Sequence, residues 1–187
     1  MTATSRFAAT PARHLLRLVL APALPLVLLT GCTSEAPAPA PTQRVESAEL
    51  GLAIAALPAA FVVADNTGES LRLTAPEVDG SEVEITVGPL KLSGINLVEV
   101  VKERRAELEA EGLYFGNREL MTPNGPAYTT RGQITGPDGP VEVTSVYSLH
   151  PDGSDRLLTV TYRYPGGGDS QARVGELLEL LGEIEAP

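Results

Sequence analysis

VEVTSVYSLHPDGSDRLLTVTYRY, residues 141–164, is where the fold is decided. Val141 to Leu149 and Leu157 to Tyr164 are runs rich in β-branched and aromatic residues. Pro151-Asp152-Gly153-Ser154 between them is turn chemistry, so the stretch reads as an antiparallel hairpin. Side chains two apart share a sheet face, which puts Tyr162 and Tyr164 together with Leu158 and Val160. If that face is open, the two rings are rigid amphipathic anchors that can contact a partner. If a helix covers it, they are core, and the parity shared with Leu158 and Val160 favours core.

Outward from the hairpin the pattern repeats. Tyr114 to Met121 and Ala127 to Thr135 read as strands, bounded by Pro123-Asn124-Gly125 and by Gly136-Pro137-Asp138-Gly139-Pro140. Further upstream, Val83, Ile85 and Val87 alternate with Glu82, Glu84 and Thr86, and Leu71 and Leu73 alternate with polar neighbours. Each of these is a strand with one wet face. Gly51 to Leu57 is a short apolar run closed by Pro58. Two helices complete the pattern. Asn96 and Glu99 have capping-box spacing, Leu97, Val98, Val101 and Leu108 form an apolar stripe, and Gly112 is a stop. The last helix is capped by Asp169 or Ser170 and carries Val174, Leu177, Leu178, Leu181 and Ile184 at helical period. The expected order is three strands, a helix, four strands and a helix. That makes an α+β domain over residues 46–187, an antiparallel sheet of about six to seven strands flanked by two helices.

Leu57-Pro58-Ala59-Ala60-Phe61, the helix over 96–111, Val160-Thr161-Tyr162-Arg163-Tyr164 and the closing helix together resemble the PsbP-like fold. That sandwich also occurs in Ran-binding nuclear-import factors and in bacterial lipoproteins. The resemblance spans about residues 48–185, with Phe61 where Trp is often found, and it implies a binding or assembly module rather than an enzyme.

The N-terminus has a different character. Residues 1–31 carry Arg6, Arg13 and Arg17 and no acidic residue, and Leu18 to Leu29 is almost wholly apolar. A membrane-spanning helix needs roughly 20 apolar residues, and Pro22 and Pro25 interrupt this run, so it reads as a secretory leader. Leu29-Thr30-Gly31-Cys32 resembles the bacterial lipobox. The resemblance implies recognition of Leu29, Thr30 and Gly31 by the signal peptidase and cleavage after Gly31. It also implies a diacylglycerol and an N-acyl chain, such as palmitate, on Cys32. Thr33 follows, where Asp would be the usual inner-membrane retention signal in enteric-type cells. The expected location is therefore a cell membrane or outer membrane, with the domain outside the cytoplasm. Ala36-Pro37-Ala38-Pro39-Ala40-Pro41 makes 32–45 a semi-rigid tether.

Charge and residue types then narrow the chemistry. The chain has 14 basic and 24 acidic side chains; losing three arginines with the leader turns a net charge of −10 into −13. Nucleic acid is a poor partner for such a surface. Cys32 is the only cysteine, so no disulfide is available, and the leader removes one of two histidines. The remaining one, His150, lies beside the hairpin turn and reads as a solvated loop residue rather than a general base. No metal ligand set, nucleophile elbow or phosphate loop is legible, and Gly166-Gly167-Gly168 reads as a strand-to-helix link. No catalytic residue and no cofactor are assigned. The expectation is a non-enzymatic lipoprotein that meets the bilayer through Cys32 and an envelope protein through its domain. The alternatives are a hydrolase of envelope carbohydrate using two carboxylates, and a small-ligand binder with an apolar cavity between sheet and helix.

Overall fold

The computed structural model describes residues 43–89, 97–167 and 169–187. Leu29, Thr30, Gly31, Cys32, the Ala-Pro run, Asn96 and Gly168 lie outside the described residues. Five strands precede the first helix: β1 (Gln43–Ser47), β2 (Leu52–Leu57), β3 (Val62–Asn66), β4 (Leu71–Thr74) and β5 (Glu82–Pro89). After α1 (Leu97–Glu111) come β6 (Gly112–Thr122), β7 (Gly125–Gly136), β8 (Gly139–Leu149) and β9 (Arg156–Pro165). The chain closes with α2 (Ser170–Gly182) and β10 (Ile184–Glu185).

The main sheet has seven antiparallel strands in the order β3-β4-β5-β9-β8-β7-β6, and β1-β2-β10 forms a second, three-stranded sheet. The α+β sandwich expected from the sequence is present, with three strands more than expected. β1 begins inside the stretch read as tether, β3 is exposed at every position, and β10 is two residues long. Ile184, assigned to the helical stripe, belongs to β10 and pairs with Ile54.

One face of the large sheet is covered by the small sheet and α2. The core there includes Ile54, Leu73, Ile85, Val160, Tyr162, Leu177 and Leu180, all buried. Each such side chain removed from water contributes on the order of 1.5–3 kcal/mol. The opposite face is covered by α1 only over β6–β8, where Leu97 and Val101 pack on Tyr147, and Leu108 lies against Gly132. Val98, placed in the buried stripe by period, is instead exposed, because α1 meets a single sheet surface and the stripe is narrow. The helix's outer side carries the ion pairs Glu99–Lys102, Arg104–Glu107 and Arg105–Glu109.

Gly112 ends α1 for a reason other than a left-handed turn. It opens β6 directly, and a Cβ there would overlap the carbonyl oxygen of Gln133 on β7. Close backbone approach requires the glycine, not a positive φ. α2 is capped by Asp169, whose Oδ1 accepts from the backbone N–H of Gln171 at 3.1 Å and of Ala172 at 3.2 Å.

Candidate functional site

The small sheet and α2 do not cover the whole inner face of the large sheet. Toward the β6 edge a groove of about 330 Å³ is left between α2 and strands β6–β8. Register explains its floor. Arg118 pairs with Thr129, Thr129 with Val146, and Arg131 with Gly116 on one side and Thr144 on the other. Cross-strand partners share a face, so two arginines and two threonines point to the side where the rest of the sheet is apolar. Gly116 has no side chain to set against Arg131, and its φ of 141° is one that glycine tolerates. The wall is α2, through Gln171, Val174, Leu177 and Leu178.

No carboxylate lines this groove. Phe115 is 51 % exposed at its mouth and Leu178 45 %, so the apolar part is open to solvent. Arg131 lies 3.8 Å from Glu142, just outside the lining. Thr144 Oγ1 is fully buried and makes no hydrogen bond of ordinary geometry. Burying a hydroxyl without a partner costs on the order of 1–3 kcal/mol, so this one is a local cost to the fold beside the Tyr164 hydroxyl.

Tyr162 and Tyr164 do not lie on an open face. Both are 1 % exposed and lie in the covered core, their rings 5.1 Å apart, with Phe61 edge-on to Tyr162 at 5.8 Å. The condition for anchoring a partner, an open face, is not met. Their hydroxyls donate to Glu176 and Glu142, each at 3.1 Å. Burial pushes the Tyr162 phenol up to about 12, and burial also raises Tyr164.

His150 is likewise not a solvated loop residue: it is 2 % exposed. Its Nε2–H donates to the Leu50 carbonyl at 3.1 Å, and its Nδ1 is 2.7 Å from Asp152 Oδ1 and 3.2 Å from Arg156 Nη2. Arg156 also donates to the Leu50 carbonyl at 3.2 Å and to Asp152 at 2.6 Å. Hydrogen bonds from Ser154, then from Arg156, hold the Asp152 carboxyl well below the usual carboxylate range. Every partner of this histidine is a protein group, and the cluster clips the β8–β9 turn to the turn after β1. It ties two turns together. Among the described residues no group of three or more His, Cys, Asp or Glu could hold a metal ion, and no helix is long and apolar enough to cross a membrane.

No protein-family model and no curated protein sequence matches the chain. Among solved structures it is similar to the Ran-binding protein Mog1p of Saccharomyces cerevisiae. The identity is 9 %, over 78 % of this chain and 95 % of that one, at a TM-score of 0.52. It is also similar to LpqN, involved in cell envelope biogenesis of Mycobacterium tuberculosis. There the identity is 11 %, over 80 % of this chain and 87 % of that one, with a TM-score of 0.49. The likeness to Mog1p is one of fold: the chain has that α+β sandwich, one of the groups to which the sequence resemblance points.

Proposed function

We propose that this chain is a lipoprotein of the cell envelope, cleaved after Gly31 and lipidated on Cys32, whose folded domain is a non-enzymatic module that binds a protein. The anchor rests on the sequence Leu29-Thr30-Gly31-Cys32. The binding role rests on one observation: an open groove, apolar and basic, on a chain whose net charge is −10. A surface built only for solubility has no use for exposed Phe115 and Leu178 beside Arg118, which has no acidic partner among the described residues, and Arg131. The fold supports the reading in a general way, since Mog1p, which shares it, is a Ran-binding protein.

A carbohydrate hydrolase would set two carboxylates across a cleft, and this groove has none in its lining. A small amphipathic ligand is the second reading, because 330 Å³ is at the low end of small-molecule pockets.

Two measurements test the proposal. Cys32→Ala should abolish labelling by a palmitate analogue and leave the precursor uncleaved at this site; unchanged labelling refutes the anchor. Crosslinking in intact cells should trap a specific envelope protein on the wild-type chain. Recovery of nothing above a tagged, unrelated lipoprotein counts against the binding role.

A further inference from the structure

The described basic side chains are almost all neutralised. With 24 acidic against 14 basic residues, a carboxylate is available to each of them, and the described arginines other than Arg118 lie within ion-pair distance of one. Arg118 has none, although it sits on β6 with its side chain on the groove face. Its diagonal neighbour Arg131 is held only loosely, 3.8 Å from Glu142. Gly116, opposite Arg131 and two residues before Arg118 on β6, leaves open space where a Cβ would meet nothing within 4 Å. The structure thus keeps a small basic gap open beside apolar walls, in a chain that could readily have closed it.

The second half of the observation is the edge. β6 is the last strand of the large sheet, 11 residues long, and no described strand lies beyond it. Its outer row of backbone N–H and C=O groups is a template for another strand. Leu113, Phe115 and Met121 on it are exposed, which natural edge strands normally avoid. A strand added beside β6 would send alternate side chains over the groove face, past Gly116 and toward both arginines.

Resting on the binding role proposed above, we infer that the groove and the β6 edge together receive an extended peptide segment of a partner protein, with an Asp or Glu flanked by apolar residues. The carboxylate meets Arg118 and Arg131. Its apolar neighbours pack on Phe115, Leu178 and Val174, and its backbone continues the sheet. Planar guanidiniums suit a carboxylate bidentately, and the charge matches where the rest of the surface would repel it. A lipid headgroup would answer the arginines but not the backbone edge, so the peptide accounts for more of the site.

The test is a displayed library of random peptides selected on the full chain in detergent micelles, followed by fluorescence polarisation with labelled winners. Enriched peptides are expected to carry Asp or Glu next to apolar residues. Their affinity should fall about tenfold or more in Arg118→Gln and further in Arg118→Gln/Arg131→Gln, as expected when one partner of a desolvated charge pair is removed. Arg72→Gln, an arginine paired with Glu82 and Glu84 elsewhere on the sheet, should leave it unchanged. N-methylation of alternate peptide amides should abolish binding at one phase and spare it at the other. Circular dichroism melts keep a fold defect apart from a binding defect. No enrichment, neutral or basic winners, or affinity indifferent to Arg118→Gln would overturn the inference. So would arginine-dependent binding of phosphatidylglycerol vesicles with none of peptide. A partner crosslinked in cells that survives the double substitution would sink the groove assignment while leaving the binding role standing.

Discussion

One face of the large sheet is finished in two ways. Over β4, β5 and β9 it is closed by the small sheet and α2, and the buried cluster is apolar or aromatic: Phe61, Leu73, Ile85, Val160, Tyr162. Over β6, β7 and β8 the same face is covered from one side only, and its floor carries Thr129, Thr144, Arg118 and Arg131. The boundary between them is visible at one residue. Glu142 accepts from the Tyr164 hydroxyl of the dry end at 3.1 Å and faces Arg131 of the open end at 3.8 Å. The contrast separates what holds the domain together from what it has to offer. Stability is concentrated where the face is closed, and recognition where a sheet that could have been apolar throughout is not.

The strongest way to break that division is to truncate one large aromatic at each end. Tyr162→Ala should lower the unfolding free energy by about 3–5 kcal/mol, the range for removing a large aromatic side chain from a packed core. Phe115→Ala, at an exposed edge position, should fall within about 0.5 kcal/mol of wild type. Urea unfolding of both variants decides it. Equal losses would mean that the groove end is part of the core after all.

A gentler probe uses pH. The Tyr162 phenol, pushed up to about 12 from an ordinary 10.0, is favoured in its neutral form by the fold. The corresponding stabilisation is complete below pH 10 and is lost as pH rises toward 12; Tyr164 shifts in the same direction. Phenolate absorbance should therefore show Tyr162 and Tyr164 ionising late, together with unfolding, and Tyr162→Phe/Tyr164→Phe should remove their share of it, leaving that of Tyr114, which burial also raises. Loss of the late ionisation of Tyr162 and Tyr164 in the wild-type chain would show that the closed end is wet.

How legible this was depends on how local the cause is. The strands β5 and β9 announce themselves because one face of each lies in the core, so Val83, Ile85 and Val87, or Leu158, Val160, Tyr162 and Tyr164, recur at every second position, whereas β8 is buried on both faces from Val143 to Ser148. β3 carries no such signal, since all five of its residues are exposed. Ile184 lies on the helical period of Leu177 and Leu181, and the pairing that removes it from the helix comes from Ile54, far away in sequence. His150 looked like a turn residue because the carbonyl that buries it belongs to Leu50, 100 positions earlier. The groove needs three strands in register and a helix from the end of the chain, so no short window contains it. One trace was present: Thr129, Arg131 and Gln133 share the parity of Ala127 on β7, polar residues on the face that is apolar elsewhere in the sheet.

The smallest expected effect isolates the groove floor, because there it reverses sign. Thr144 is 2 % exposed, on the groove floor, with a hydroxyl that makes no hydrogen bond of ordinary geometry. In the closed end a polar atom costs nothing only when it is partnered, as the tyrosine hydroxyls are by Glu176 and Glu142. Thr144→Val replaces the hydroxyl by a methyl group of similar size on a strand that favours β-branched residues. It should therefore raise stability by about 0.5–1.5 kcal/mol rather than lower it. Substituting Val for Thr161, on the opposite face of the same sheet, whose buried hydroxyl is 3.0 Å from that of Ser145, removes a real hydrogen bond and should lower stability by a similar amount. Paired urea titrations of the two variants give the comparison directly. If Thr144→Val destabilises, the groove floor is already satisfied from within and Thr144 has no hydroxyl to spare for a guest. If it stabilises while weakening peptide binding, the domain carries a buried polar atom at the expense of its own stability in order to receive one.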